Sequence, residues 1–166
     1  MTQYRQGKPG SAGMAGRAVA TGGRPSRWVA VRSAALLYAA VAAGSVIGGL
    51  LRALASLVID AYAPSPLHLG TLFVNVTGSF VIGFYAALTR PEGRLLAGPR
   101  QRQFVMTGIC GGYTTFSAFS LETLRLIQAG NLAEAGLGIG VSIVTWLAAV
   151  WLGHALATRL NRLGRS

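Results

Sequence analysis

Residues Gly108–Ser120 read GICGGYTTFSAFS, and this stretch governs the interpretation of the whole chain. It places three glycines and five hydroxyl-bearing side chains in the middle of a long uncharged segment. Glycine is among the poorest helix formers, so the Gly111–Gly112 pair weakens a helix by about 2 kcal/mol relative to alanine. The stretch therefore predicts a helix that breaks at this glycine pair, followed by hydroxyl groups and two phenylalanines.

The surrounding sequence is typical of a membrane protein. Hydrophobic residues make up 52% of the 166-residue chain and charged residues 11%, against about 25% charged in soluble proteins. A transmembrane helix needs roughly 20 apolar residues. We therefore predict an all-α membrane protein in which a domain at 33–158 holds four transmembrane helices. The predicted spans are about 33–59, 69–89, 102–127 and 133–157.

The positive charge follows a topological pattern. The net charge is +11, and thirteen of the fifteen basic residues fall on one side of the membrane if the spans alternate. The positive-inside rule makes that side cytoplasmic, with both termini in the cytoplasm and the chain in the cell membrane. Residues 1–32 are predicted to be a disordered basic tail and 159–166 a second basic tail. We expect attraction to anionic membrane lipid and no nucleic-acid partner.

Polar residues inside the spans leave two interpretations open. Thr71 and Asn75 share one helix face, and Ser142 is a polar member of the fourth span. Such side chains either join helices or offer donors to a ligand, and the pattern alone does not decide between them. Arg52, near the outer end of the first span, is interpreted as structural, bound to carbonyls or reaching the interface.

A broken third helix would expose backbone groups with opposite preferences. Its freed carbonyls would suit a cation, whereas freed amides and the start of the second half-helix would suit an anion. The sequence has no nucleophile–base pair and no metal-ligand spacing, so we expect no enzyme. A proton-coupled cation or small multidrug-type antiporter needs a carboxylate deep in a span, and Glu122, near a span end, fits that poorly. A purely structural membrane subunit is a third alternative.

Several motifs together resemble the Fluc/CrcB family of fluoride channels. They are GGLLR in the first span, GTLFVNVTGSFVIG in the second, GICGGYTTFSAFSLE in the third and VWLG near the end of the fourth. The resemblance covers about residues 34–156, and the third motif is the most specific. It implies a passive fluoride-exporting channel built as an antiparallel dual-pore dimer.

The resemblance also implies roles for individual residues. Carbonyls of Gly111 and Thr114 from both subunits would hold a structural sodium ion, next to the structural glycine Gly112. Arg52 matches an arginine of the family's first span. The residues expected along the fluoride pathway are Asn75, Phe116, Phe119, Thr115, Ser117, Thr71, Ser142 and Glu122.

The charge bias bears on the partner of this subunit. A chain that pairs with itself in antiparallel fashion must insert in both orientations, which requires a weak positive-inside bias. Here the bias is strong. We therefore expect either an antiparallel homodimer or, favoured by the charges, a dimer with an oppositely oriented homologue.

Overall fold

A computed structural model describes residues 26–63, 69–91 and 93–163, and within these ranges all regular structure is helical. Residues 1–25 and 164–166 of the predicted tails lie outside the described residues. The elements, in chain order, are α1 (Arg27–Tyr62), α2 (Leu69–Leu88), α3 (Pro99–Gln103), a π-helical segment (Phe104–Cys110), α4 (Gly111–Tyr113), α5 (Phe116–Gln128) and α6 (Leu132–Leu163).

Three helices in the described ranges, α1, α2 and α6, are long and apolar enough to cross a membrane. The third predicted span has no continuous helix. It consists instead of α3, the π-helical segment, α4 and α5, each shorter than a membrane-crossing helix. The chain is thus an all-helical integral membrane protein with an interrupted third segment, as the glycine-containing motif predicts.

Two helices extend beyond the predicted spans. α1 begins at Arg27, before the predicted span start at 33, and α6 continues to Leu163, past the predicted span end at 157. Residues 27–32 are therefore helical and not disordered as predicted, and residues 159–163 of the predicted basic tail continue α6. The reason is that apolarity marks only the part of a helix inside hydrocarbon, whereas arginine is a good helix former and lets the helix continue beyond it.

The helices pack as two parallel pairs joined by close glycine contacts. α1 lies against the third segment, where a Cβ on Gly44 would be 2.5 Å from the Phe104 carbonyl oxygen. α2 lies against α6, where a Cβ on Gly153 would be 3.0 Å from the Phe84 nitrogen. Gly44 faces Phe104 and Gly48 faces Ile109, while Gly83 faces Val150 and Ala87 accepts from Asn161, so residue numbers rise in the same direction in both pairs.

The basic ends of α2 and α6 meet at one end of the molecule. Asn161 donates its Nδ2 hydrogen to the Ala87 carbonyl at 2.9 Å, and its Oδ1 accepts from the Arg94 backbone N–H at 3.1 Å. Arg90 Nη2 lies 3.2 Å from His154 Nε2. The loop after α2 and the end of α6 are therefore on the same side, as the positive-inside pattern requires.

Replacing Asn161 with alanine is expected to lower the free energy of unfolding by about 1–3 kcal/mol, because the Ala87 carbonyl, near the end of α2, loses its donor. Thermal unfolding in detergent measures the change. Asn161→Asp keeps the acceptor for Arg94 and should fall between wild type and alanine. Gln128→Ala, at an exposed position outside this contact, serves as the control. Equal stability of Asn161→Ala and Gln128→Ala would contradict the prediction.

Candidate functional site

The break in the third segment lies at two threonines and not at the glycine pair. Gly111 and Gly112 are helical in α4, whereas Thr114 (φ −85°, ψ 155°) and Thr115 (φ −145°, ψ 122°) are extended. The prediction that the glycines themselves break the helix is therefore wrong by about three residues. The helix is interrupted where a side chain from another helix takes over its hydrogen bonds.

That side chain is Asn75 of α2. Its Oδ1 accepts from the Thr115 backbone N–H at 2.7 Å, and its Nδ2 donates to the Thr115 carbonyl at 2.9 Å. Asn75 is buried, with 5% of its surface exposed. In a continuous helix the Thr115 N–H would donate to the carbonyl of Gly111. The Asn75 clamp thus removes the helical partner of the Gly111 carbonyl.

A second hydrogen bond of the continuous helix is also replaced, at the start of α5. Thr115 is the N-cap of α5, and its Oγ1 accepts from the Ala118 N–H at 3.1 Å. In a continuous helix that N–H would donate to the carbonyl of Thr114. These two redirected N–H groups leave the carbonyls of Gly111 and Thr114 without their usual helical donors. Carbonyl oxygens of this kind suit a hard cation.

The two glycines have different surroundings. A Cβ on Gly112 would be 2.5 Å from the Ser45 carbonyl oxygen, so this glycine allows α4 to approach α1 closely. Gly111 is exposed, and the nearest atom to a Cβ built there, the Met106 carbonyl oxygen, is 3.9 Å away. Gly112 is thus a packing glycine, whereas Gly111 borders open space.

A cavity of about 250 Å³ lies beside the break. Five residues predicted for the ion sites line it: Asn75, Gly111, Thr114, Thr115 and Phe116. The other lining residues were not predicted: Gly78, Ser79, Ile82, Cys110 and Trp146.

Four predicted pathway residues are buried despite their polarity. Of the five buried polar side chains in the described part of the chain, four are Thr71, Asn75, Thr115 and Ser142. The Thr71 hydroxyl donates to Glu122 Oε1 at 2.6 Å, joining α2 to α5. Glu122 is half-buried. The structure therefore brings together two residues that are 51 positions apart in the sequence.

Three aromatic rings run from the start of α5 to α6. The centroids of Phe116 and Phe119 are 5.7 Å apart, and Phe119 meets Trp146 edge-on at 5.0 Å and 75°. Phe116 is 72% exposed in the single chain. A large apolar side chain so exposed in the lining of the cavity indicates a surface that lipid or another subunit covers.

The remaining predicted residues occupy less central positions. Ser117 is exposed, with its Oγ 3.2 Å from Thr115 Oγ1, and Arg52 is half-buried on α1. Neither residue lines the 250 Å³ cavity. Trp146 does line it, although it was not among the residues predicted for the pathway. Its position four residues after Ser142, on the same helix face, was the available signal.

The molecule is a helical membrane protein whose interrupted helix lines a cavity, mostly apolar with a few polar groups, which is an architecture of membrane transport proteins. Residues 39–154 match the family model described as "CrcB-like protein, Camphor Resistance (CrcB)". The chain belongs to the CrcB family, and this confirms the resemblance read from its motifs.

Curated relatives agree with this assignment. The chain is 61% identical over 133 residues to a protein of Rhodopseudomonas palustris (strain BisB18) named "Fluoride-specific ion channel FluC 1", covering 80% of this chain and 94% of the relative. A protein of the same name from Bradyrhizobium diazoefficiens is 59% identical over 132 residues, covering 80% and 92%. "Fluoride-specific ion channel FluC" of Opitutus terrae is 52% identical over 128 residues, covering 76% and 96%.

Proposed function

We propose that this protein is a fluoride-selective channel that passively exports fluoride across the cell membrane and so relieves fluoride toxicity. The observation that carries the proposal is the Asn75-clamped break at Thr114 and Thr115, which lies beside a cavity between helices. The names of close relatives support fluoride as the ion. A passive channel carries out no catalysis, so the protein is not proposed to be an enzyme.

The site suits a small anion for physical reasons. Fluoride holds its water tightly, so it must meet close hydrogen-bond donors as it sheds that water. The hydroxyl of Ser142 and one of the two paired hydroxyls of Thr115 and Ser117 can donate, whereas that of Thr71 already donates to Glu122. The positive end of α5 begins at Phe116. Phenyl edges carry the positive end of the ring quadrupole and face an anion without offering an acceptor. A narrow passage of such groups fits a larger chloride ion poorly.

The carbonyls of Gly111 and Thr114 are the proposed ligands of a structural sodium ion. Both have lost their helical donors, and both residues line the cavity. Among the described residues no cluster of three His, Cys, Asp or Glu side chains forms a metal site, so a cation here would rely on these oxygens. When bound, it would supply a fixed positive charge that favours anions nearby.

The partner of this chain is proposed to be an oppositely oriented subunit, giving an antiparallel dimer with two pores and four membrane-crossing segments in each subunit. Two carbonyls from each chain would then supply four oxygens to one sodium ion. The basic groups gathered near the ends of α2 and α6 favour insertion with both termini in the cytoplasm, and hence a homologue rather than a second copy as partner. Two reporter fusions at the C-terminus test this, one active only in the cytoplasm and the other active only outside it. Equal activity of the two fusions when the chain is expressed alone would support a homodimer.

Fluoride efflux from liposomes tests the proposed function directly. We expect the purified protein, alone or with its oppositely oriented homologue, to release fluoride rapidly and chloride at the background rate. The flux should not depend on an imposed pH gradient at constant membrane potential, because a channel couples no proton to its ion. Fluoride flux at background in every pairing, or chloride flux of equal size, would overturn the proposal. Flux driven by the pH gradient would favour the antiporter.

A further inference from the structure

One buried donor, on a residue that lines the cavity, has no hydrogen-bond partner among the described residues. Within the described residues three buried side-chain atoms lack a hydrogen-bond partner: Tyr85 Oη, Trp146 Nε1 and Thr158 Oγ1. Of these three side chains, Trp146 lines the 250 Å³ cavity together with Asn75, Thr115 and Phe116. A buried tryptophan N–H usually has an acceptor, so a bound ion is a natural partner here, since the described residues offer none.

The Trp146 indole packs in the same row of aromatic rings as Phe116 and Phe119, two predicted pathway residues. Trp146 lies one helical turn after the buried Ser142 on α6, and its ring meets Phe119 at a centroid distance of 5.0 Å. Phe119 in turn lies 5.7 Å from Phe116. The Nε1 hydrogen is therefore carried by a ring whose position is fixed by the phenylalanines expected to flank the ion.

The chemistry of the indole group selects the kind of ligand. Indole Nε1–H donates a hydrogen bond and cannot accept one, and it stays neutral at any physiological pH. It can therefore satisfy an anion without presenting an acceptor to a cation. In a site of low dielectric, a hydrogen bond to a charged partner is stronger than one between neutral groups.

We propose that Trp146 Nε1–H donates a hydrogen bond to fluoride as the ion passes the cavity, which makes Trp146 a specificity-determining residue. This inference rests on the proposed channel function. It adds an aromatic donor on α6 to the hydroxyls already described. The competing role is packing alone, in which the ring supports Phe119 and the N–H contributes nothing to the ion.

A substitution that keeps the ring separates the two roles. Trp146→Phe retains an aromatic contact with Phe119 but removes the N–H, and we expect it to lower fluoride efflux at subsaturating fluoride about fivefold to tenfold. The matched control is Trp151→Phe on the same helix, where the side chain is 67% exposed. Its efflux should equal that of wild type. Wild-type efflux in Trp146→Phe would overturn the inference while leaving the channel proposal intact.

A measurement on the unmutated chain avoids any folding defect of the variant. With ¹⁵N-labelled tryptophan, we expect fluoride titration to shift the indole N–H resonance of Trp146 in a saturable manner and to leave that of Trp151 unchanged. The substitutions assign the two resonances. Absence of a Trp146 shift, or a shift of equal size with chloride, would overturn the inference. A fluoride-specific shift in a protein without fluoride flux would instead support binding and refute the channel function.

Discussion

Replacing Asn75 with alanine is expected to reduce fluoride efflux at least about tenfold and to destabilise the folded protein. Asn75 is buried and holds both backbone groups of Thr115 at 2.7 and 2.9 Å. Without the amide, a buried N–H and a buried carbonyl lose their partners, at about 1–3 kcal/mol for each unsatisfied group. The membrane interior offers no water to replace them.

The chain can recover part of this free energy by closing the break, but closing it also removes the proposed sodium site. The Thr115 N–H can return to the Gly111 carbonyl, which rebuilds the helix through the break. The carbonyl oxygen proposed as a sodium ligand would then be occupied. Asn75→Ala should therefore lose flux whether the break stays open with unsatisfied groups or closes into a helix.

Two further variants sharpen this prediction. Asn75→Asp keeps the acceptor for the Thr115 N–H but places an oxygen against the Thr115 carbonyl, so it should also lose flux while retaining part of the clamp. Thr89→Val is the control, because Thr89 is also buried and polar but bonds only to the Tyr85 carbonyl of its own helix. Efflux and thermal unfolding of all three are compared with wild type. Wild-type flux in Asn75→Ala would show that the clamp does not form the pathway.

The break itself was predictable from sequence, whereas its position was not. Helix propensity identified Gly111 and Gly112 as the weak point, but propensity is a weak prior that tertiary contacts override. Both glycines are helical, and α1 packs against Gly112 at Ser45. The helix opens at Thr115 because Asn75 lies opposite, 40 residues away in the sequence. The local sequence does not show that Asn75 and Thr115 lie close together in the fold.

The candidate site shows the same division between local and long-range information. The spacing of Thr71 and Asn75 was enough to place both on one helix face, and both are buried. Their different partners, Glu122 for Thr71 and Thr115 for Asn75, depend on how α2 packs against the third segment. The choice between helix-joining and ligand-binding roles could therefore not be made from spacing alone. In the single chain both side chains make contacts between helical segments.

Gly48→Ala is expected to be the most disruptive single-methyl substitution in α1, and Gly49→Ala at the next position is its matched control. A Cβ on Gly48 would overlap the Ile109 carbonyl oxygen and lie 2.8 Å from the Tyr113 nitrogen, whereas a Cβ on Gly49 would meet nothing within 4 Å. The atoms in the way belong to the backbone, so no side chain can rotate aside. α1 must move away from the third segment or the segment must distort.

The two variants should therefore change the free energy of unfolding in opposite directions. Overpacking at Gly48 is expected to lower the free energy of unfolding by about 3 kcal/mol or more, whereas alanine at Gly49 gains up to about 1 kcal/mol of helix propensity. Unfolding in mixed micelles and the folded yield after gel filtration measure this difference. Equal behaviour of the two variants would show that α1 does not approach the third segment closely.

The effect on function follows from which residues Gly48 touches. Tyr113 ends α4 and directly precedes Thr114, so a displacement at Gly48 reaches the two carbonyls proposed to bind sodium. Any Gly48→Ala protein that folds should then conduct fluoride more slowly than Gly49→Ala protein, although neither residue lines the cavity. Such a result would show that the packing of α1 and the Asn75 clamp together determine where the helix breaks. The packing of α1 holds α4 in place, and the clamp holds Thr115 away from α4.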